Sequence, residues 1–339
     1  MDDKFKKLKV SRSLLYFLSQ KGELEEDMLD DAFHESGIYP TQQETTRFLD
    51  RFILGTGAIF FVCGIVFFLA YNWADLHKFM KLGLVIGLLT ASGIYTFLQD
   101  EKSYTRKIGL VVLCGLTGAL FAVFGQIYQT GANAYDFFFG WTIMITAWVV
   151  ISRFPALWLF YVVLINVTVI LYAGQVHRAW GTVLVYEILF AVNTLVWLAW
   201  ELATKRLKHF YQNRFFPRIV GAAALTYSTL AVLNVIFHNG YFYQLPEWHK
   251  PMAWITWLIA SVLVFIIYRN TIKDLFFLAG IVLSAMVLFC SIFIEIDFGA
   301  ELTFFFLGIC VVGVTFLTVT LLIKLNKKWK QENLLSENS

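Results

Sequence analysis

The feature that most constrains this chain is a succession of apolar blocks about 20 residues long, each bounded by charges or turn residues. A helix rises 1.5 Å per residue and a bilayer's hydrocarbon core is about 30 Å thick, so about 20 apolar residues make one crossing. Each unpaired backbone amide in lipid costs several kcal/mol, and these blocks are too long and too little alternating for barrel strands. The expected fold is therefore all-α, a polytopic transmembrane helix bundle of about ten spans with a small N-terminal cytoplasmic helical segment. Composition agrees: 58% hydrophobic, 18% aromatic and 15% charged lies outside the range of an ordinary soluble domain.

Spans are expected over 51–71, 79–98, 108–128, 136–152, 155–173, 180–200, 218–237, 252–268, 275–293 and 302–323. The charges test this count. With the N-terminus inside, all but four of the 27 lysines and arginines fall on the cytoplasmic side, the exceptions being Lys78, Lys81, Arg178 and Lys250. A missed or invented span would destroy that bias. The acids of the outer half are Asp75, Asp136, Glu187, Glu247, Glu295, Asp297 and Glu301. The basic inner face reads as topogenic, each cation near anionic headgroups gaining about 1 kcal/mol. No basic stretch interleaves with aromatics, so nucleic acid is not an expected partner. Both termini are expected in the cytoplasm, with a helical head over 1–48, a membrane domain over 49–325 and a basic, then polar, tail over 326–339.

The basic start of the chain turns acidic without an apolar signal region or small-residue cleavage site, so the head is expected to stay inside. Leu14, Leu15, Phe17 and Leu18, then Leu24, Met28, Leu29, Ala32 and Phe33, recur at helical spacing, with Gly22 and Gly37 as stops. After Pro40, Thr41 and Glu44 have the spacing of a reciprocal capping box, opening a helix that continues into the first span. A head this small cannot bury a large core alone. A homo-oligomer or a cytoplasmic protein partner docking on residues 1–48 is the expectation, besides the lipid bilayer itself.

Two polar breaks interrupt the apolar pattern on the outer side. "FGQIYQTGANAYDFFFGW", residues 124–141, carries amides, tyrosines and one acid, but no lysine or arginine. Gly131 makes an unbroken helix to Asp136 unfavourable, and Asp136 suits an N-cap of the fourth span, where it also meets the helix dipole. Tyr128, Tyr135 and Trp141 suit an interfacial aromatic belt. Gln126, Gln129 and Asn133 remain; in a partly helical segment they share one face and present amides that donate and accept. The second break, "AYNWADLHKFMKLG" over 70–83, brings Asn72 and Trp73 to the end of the first span.

Glu187 lies about 10 Å into the sixth span. An ionised carboxylate near mid-membrane costs about 2.5–3.5 kcal/mol on insertion scales, so it must be neutral, paired or wetted. Asn166 lies at similar depth in the oppositely running fifth span, Asn193 lies deeper, and Lys81 is the best-placed cation. The cysteines, Cys63, Cys114, Cys290 and Cys310, sit inside apolar blocks at no redox or metal spacing and read as small core residues. His238, Glu247 and His249 flank an outer loop without the spacing of a zinc site. No nucleophile elbow, zinc-protease, phosphate-loop or dinucleotide motif occurs, so no catalytic residue, metal or cofactor is expected, and enzyme is the weakest class.

The hairpin closing with "AYNWADLHKFMKLGL", the segment "FGQIYQTGANAYDFFFGW" and the hairpin "AWVVISRFPALWLFYVVLINVTVILY" resemble a bacterial polytopic membrane family known as domain of unknown function 2157. The resemblance covers about residues 10–175, and its motifs fall on Asn72, Trp73, Gln126, Tyr128 and Gln129. It implies a bacterial inner-membrane protein and carries no activity or ligand. Two functions are expected from the residues themselves. In the first, a small solute, ion or lipid headgroup is bound or transported through an outward-facing vestibule, using Gln126, Tyr128, Gln129, Asn133, Asp136, Glu187, Asn166, Asn72 and Trp73. In the second, a non-transporting scaffold or envelope sensor docks a cytoplasmic partner through its head.

Overall fold

The computed structural model describes residues 10, 12–129, 131, 133–177, 180–206, 214–237, 248–296 and 299–337. Among them are twelve α-helices and no strand. Ten helices are long and apolar enough to cross a membrane, and each overlaps one of the expected spans, the sixth starting two residues late at Thr182. The chain divides into two compact units, residues 1–123 and 124–339.

The first unit opens with the head: α1 (Arg12–Gln20), a 3-10 turn over Glu26–Met28, and α2 (Leu29–Glu35). Gly22 and Gly37 stop the helices in the left-handed region, at φ 72° and 70°, which costs glycine nothing. The head closes around Phe33, whose ring meets Tyr16 and Tyr39 at 5.4 and 5.0 Å. Leu15 is buried too, whereas Leu14 and Phe17, expected on the same apolar face, are exposed. One turn of buried face is all that so short a helix needs.

The Thr41 N–H then donates to Glu44 Oε2 at 2.9 Å, and the Glu44 N–H donates to Thr41 Oγ1 at 3.3 Å. This capping box starts α3 (Gln42–Tyr71), which runs unbroken into the first span. Next come α4 (Lys78–Leu98), with exposed His77 at its N-cap, and α5 (Tyr104–Tyr128). Close approach sets the packing of α5. A Cβ on Gly115 would sit 2.8 Å from Val62 of α3, and one on Gly109 would overlap Thr96 of α4. Cys114 is buried on α5, but Cys63 is exposed, so that thiol is no core residue; apolar groups turned toward lipid incur no penalty.

The second unit begins with the hairpin of α6 (Ala134–Ser152) and α7 (Pro155–Gln175). Arg153 turns the chain at φ 48°, and Pro155 enters α7 where its missing N–H is harmless. The remaining helices are α8 (Thr182–Arg206), α9 (Phe215–Phe237), α10 (His249–Asn270), α11 (Leu275–Ile296) and α12 (Ala300–Glu337). The window of α9 is the most buried of all the spans, and its small residues let neighbours close on it. A Cβ on Gly221 would overlap the Phe277 ring and reach 3.0 Å from Trp197. Trp197, Trp200, Phe216, Tyr268 and Phe277 form one apolar cluster, and Val183, Ala231, Val232, Ala253 and Leu288 another. α12 continues past residue 325 as helix; Trp329 is buried in the first cluster, and Lys273 Nζ meets Glu332 Oε2 at 2.7 Å.

Candidate functional site

In the 124–141 segment, α5 ends at Tyr128 and the backbone turns left-handed at Gln129 (φ 42°) and Gly131 (φ 64°). This breaks the helical face that would have aligned Gln126, Gln129 and Asn133. The N-cap of α6 is Asn133, not Asp136. Asp136 sits at the third helical position, where its Oδ2 accepts from the Asn133 N–H at 3.0 Å. Both residues therefore hold the helix start, the acid still meeting the dipole.

A further group at this end had no local sequence signal. Gln175, at the end of α7, accepts from the Tyr135 N–H through Oε1 at 3.0 Å, and the Tyr135 ring meets Tyr172 edge-on at 5.3 Å. Trp141 packs within the helix bundle against Phe137 and Phe160. Gln126, Tyr128 and Gln129 are exposed. In the first unit, the Asn72 side chain donates to the Phe68 carbonyl at 2.9 Å. The Trp73 ring carries Lys81 Nζ 3.8 Å from its centroid, a cation–π pairing that accounts for a buried lysine.

Deeper polar groups in the second unit separate into distinct sets. Asn166 and Asn193 pair with each other: Asn193 Nδ2 donates to Asn166 Oδ1 at 2.6 Å, and Asn166 Nδ2 donates back at 3.3 Å. Each amide also donates to its own helix, to Val162 and Leu189. Asn166 is thus satisfied without Glu187, because two amides complement each other in both directions. Glu187, 8% exposed, meets Thr256 of α10, whose Oγ1 lies 2.8 Å from Glu187 Oε1 and 2.9 Å from the Met252 carbonyl. On α9, α10 and α11, the Trp257 Nε1–H donates to Ser284 at 2.7 Å, and Ser284 and Thr229 hydroxyls meet at 2.6 Å.

The largest polar network lies at the other end of α8. Arg214 Nη1 donates to both oxygens of Glu201 at 3.0 Å, and Nη2 donates to Asp274 Oδ2 at 3.2 Å. Arg218 donates to both oxygens of Asp274, at 3.0 and 3.1 Å. The Tyr268 hydroxyl donates to Glu201 Oε1 at 2.8 Å and accepts from the Trp197 indole N–H at 2.9 Å. Glu201 and Asp274 are both buried. Burial alone would raise the Asp274 carboxyl, but bonds from Arg218, the Phe276 N–H and Arg214 leave it below its ordinary value. Burial likewise pulls Arg214 down, and Glu201 and Asp274 more than offset this. Sequence reasoning assigned these arginines to membrane orientation. Their partners are 13 to 60 residues away, and only the unusual placement of acids beside an otherwise basic face hinted at them.

Glu187, Thr194 and Glu201 follow one another on α8 at steps of seven residues, two helical turns or about 10 Å each. They form one polar stripe. A cavity of 460 Å³ runs beside it between α8, α9 and α10, with Thr194, Glu201, Thr256 and Tyr268 in its wall. The Thr194 hydroxyl is buried with no hydrogen-bond partner. Among the described residues no group of three or more His, Cys, Asp or Glu could hold a metal ion. His238 and Glu247 lie outside the described residues.

No curated protein and no solved structure matches the chain. One family model does, over part of the head, α3 to α6 and the start of α7, a stretch shorter at both ends than the resemblance over 10–175; residues 159–339 lie beyond it. The chain is a multi-pass integral membrane protein whose residues 24–158 match the family described as "Predicted membrane protein (DUF2157)".

Proposed function

We propose that this protein binds and moves a small solute across the bacterial inner membrane, with Glu187 as the acid that takes up and releases a proton during the cycle. One observation carries this reading: a buried carboxylate inside a span, in the second turn of α8, whose hydrogen-bond partner among the described residues is a single hydroxyl. The Asn166 and Asn193 amides satisfy one another, and Glu201 is neutralised by Arg214. Among the described residues Glu187 has no such compensation. The Thr256 hydroxyl has one proton for three near acceptors, Glu187 and the Met252 and Ala253 carbonyls. A Glu187 that carries a proton donates to Thr256, which then donates to Met252; an ionised Glu187 takes the Thr256 proton instead. Both states keep the same geometry, as a group that alternates between them requires.

Threading supports a cytoplasmic placement of both termini and of the Glu201, Arg214, Asp274 and Arg218 network. Gln126, Tyr128 and Gln129 then lie exposed on the periplasmic side, where they contact the solute at that end of its path. The work is binding and transport rather than enzymatic turnover. A dye reporting internal pH in proteoliposomes tests it. Glu187→Gln is expected to slow proton movement at least tenfold, and Gln126→Ala to slow it two- to threefold. Wild-type rates in both would remove the reading.

The head supports a second reading. Leu14, Tyr16, Phe17 and Met28 are 45–54% exposed, a large apolar surface for so small a segment. It fits a docking role for a cytoplasmic partner or a second copy. Removing residues 1–40 would then abolish function while leaving the protein inserted; proton movement unaffected by that truncation would leave transport as the sole function.

A further inference from the structure

We infer that the 460 Å³ cavity between α8, α9 and α10 is a binding site for a lipophilic amine that enters from the bilayer. This rests on the transport reading and gives it a substrate class. The volume lies within the 300–1,000 Å³ range of small-ligand sites, which typically join apolar walls to a few placed polar groups. Leu198 and Leu263, on the α8 and α10 sides of the cavity wall, are about half exposed. In a membrane-spanning unit such surface faces lipid, so the opening is lateral. An apolar body partitions first into the bilayer and reaches the cavity from there.

The polar groups in the wall select the other end of the molecule. They are one carboxylate, Glu201, the hydroxyls of Thr194, Thr256, Tyr268 and Thr271, and the Trp197 indole, with no lysine, arginine or histidine among the described lining residues. Among the described residues, Glu201 Oε1 accepts from Arg214 and Tyr268, whereas Oε2 accepts from Arg214. A carboxylate oxygen can take about two donors. The open position on Oε2 therefore takes an N–H donor, and the unpartnered Thr194 hydroxyl, two turns along the same stripe, offers a further polar contact. An anionic end group would face the Glu201 carboxylate, while Arg214, the cation beside it, is already committed to Glu201 and Asp274. Thr256 joins the site to Glu187, since its hydroxyl lies 2.8 Å from that acid. Thr256 is thus common to the cavity wall and to the surroundings of Glu187.

Equilibrium binding to the full chain in lipid nanodiscs tests this without any gradient, using 4-phenylbutylamine, 4-phenylbutanol and 4-phenylbutyrate, which differ only in their end group. The amine is expected to bind at least tenfold tighter than the carboxylate. Glu201→Gln should weaken the amine about tenfold and leave the alcohol within twofold. Ala260→Phe, which fills the cavity from its wall without touching the charged network, should abolish binding of the amine. Equal binding of all three probes would mean that the groove takes a lipid-like chain without selecting its end, and would overturn the assignment. So would amine binding that survives Ala260→Phe, or no amine binding by wild type. If binding fails while proton movement still depends on Glu187, the cavity assignment falls alone; if proton movement is independent of Glu187, the transport reading falls whatever binds.

Discussion

The two units solve the same problem, packing helices in lipid, with different chemistry. In the first, glycines set the contacts: Gly109 against Thr96 and Gly115 against Val62. Its buried cation, Lys81, rests on the face of a neighbouring tryptophan. The second unit closes tightly at Gly221, and places hydrogen-bonded pairs, a hydroxyl chain and a four-residue ion network between its helices. Lipid tails are as apolar as leucine, so close packing alone can hold helices in a membrane. Buried polar groups exceed what stability needs. Where they are mutually satisfied they fix geometry, and where one is left with a single neutral partner, as Glu187 is, it is available for work.

Breaking the ion network should separate the units most strongly. Asp274→Ala leaves Arg214 and Arg218 without their shared carboxylate, and loss of one partner from a buried pair costs about 3–5 kcal/mol. Because the two arginine side chains are 32% and 44% exposed, a loss near the lower limit, about 3 kcal/mol, is expected. Thermal unfolding in detergent, with tryptophan emission reporting the second unit, measures it. The pH dependence follows in sign. Asp274 is held below its ordinary value, so its contribution is complete above about pH 4 and disappears as pH falls through the depressed value. Arg214 is shifted upward, and its contribution is lost only at strongly alkaline pH. Acid unfolding of Asp274→Asn should therefore be less steep than that of wild type.

The glycines offer the next contrast. Gly221→Ala forces a methyl against Phe277, a ring stacked on Trp197 and Tyr268 at 4.7 and 4.0 Å, and overpacking of this kind costs about 1–3 kcal/mol. Gly115→Ala meets the end of Val62, which is only half-buried. That side chain can turn aside, so the cost should fall below that of Gly221→Ala in the same melting experiment. A larger loss at Gly115 would reverse the proposed division between the units.

Smaller effects belong to single hydrogen bonds. Asn166→Leu should cost about 0.6–1.7 kcal/mol, the range found for interhelical bonds in membranes, and the double variant with Asn193→Leu should recover most of it in a thermodynamic cycle. Gln129→Gly, which relieves a left-handed residue at φ 42°, should raise stability by about 0.5–1 kcal/mol.

Much of this architecture was legible in the residues. Apolar block length and charge placement give the ten spans, and the Thr41 and Glu44 spacing gives the start of α3. The same three-residue spacing between Asn133 and Asp136 marked the start of α6, but a carboxylate near a helix start masked the amide that caps it. The buried polar groups were legible only in part. Glu187 stands out because a lone acid in an apolar block is costly, yet its partner Thr256 lies 69 residues away on a helix that sequence cannot dock. Glu201, Arg214, Asp274 and Arg218 looked like interfacial charges because each sits near the end of a span; only the folded chain brings them together.

The central claim is that Glu187, alone among the second unit's described buried acids, is held without a cation so that it can carry a proton. Infrared difference spectroscopy between wild type and Glu187→Gln in lipid at neutral pH tests it directly. The prediction is a protonated-carboxyl band in wild type that is absent from the variant and shifts in the Thr256→Val protein, which removes the hydroxyl partner. Spectra of wild type and Glu187→Gln that coincide in that region would contradict it.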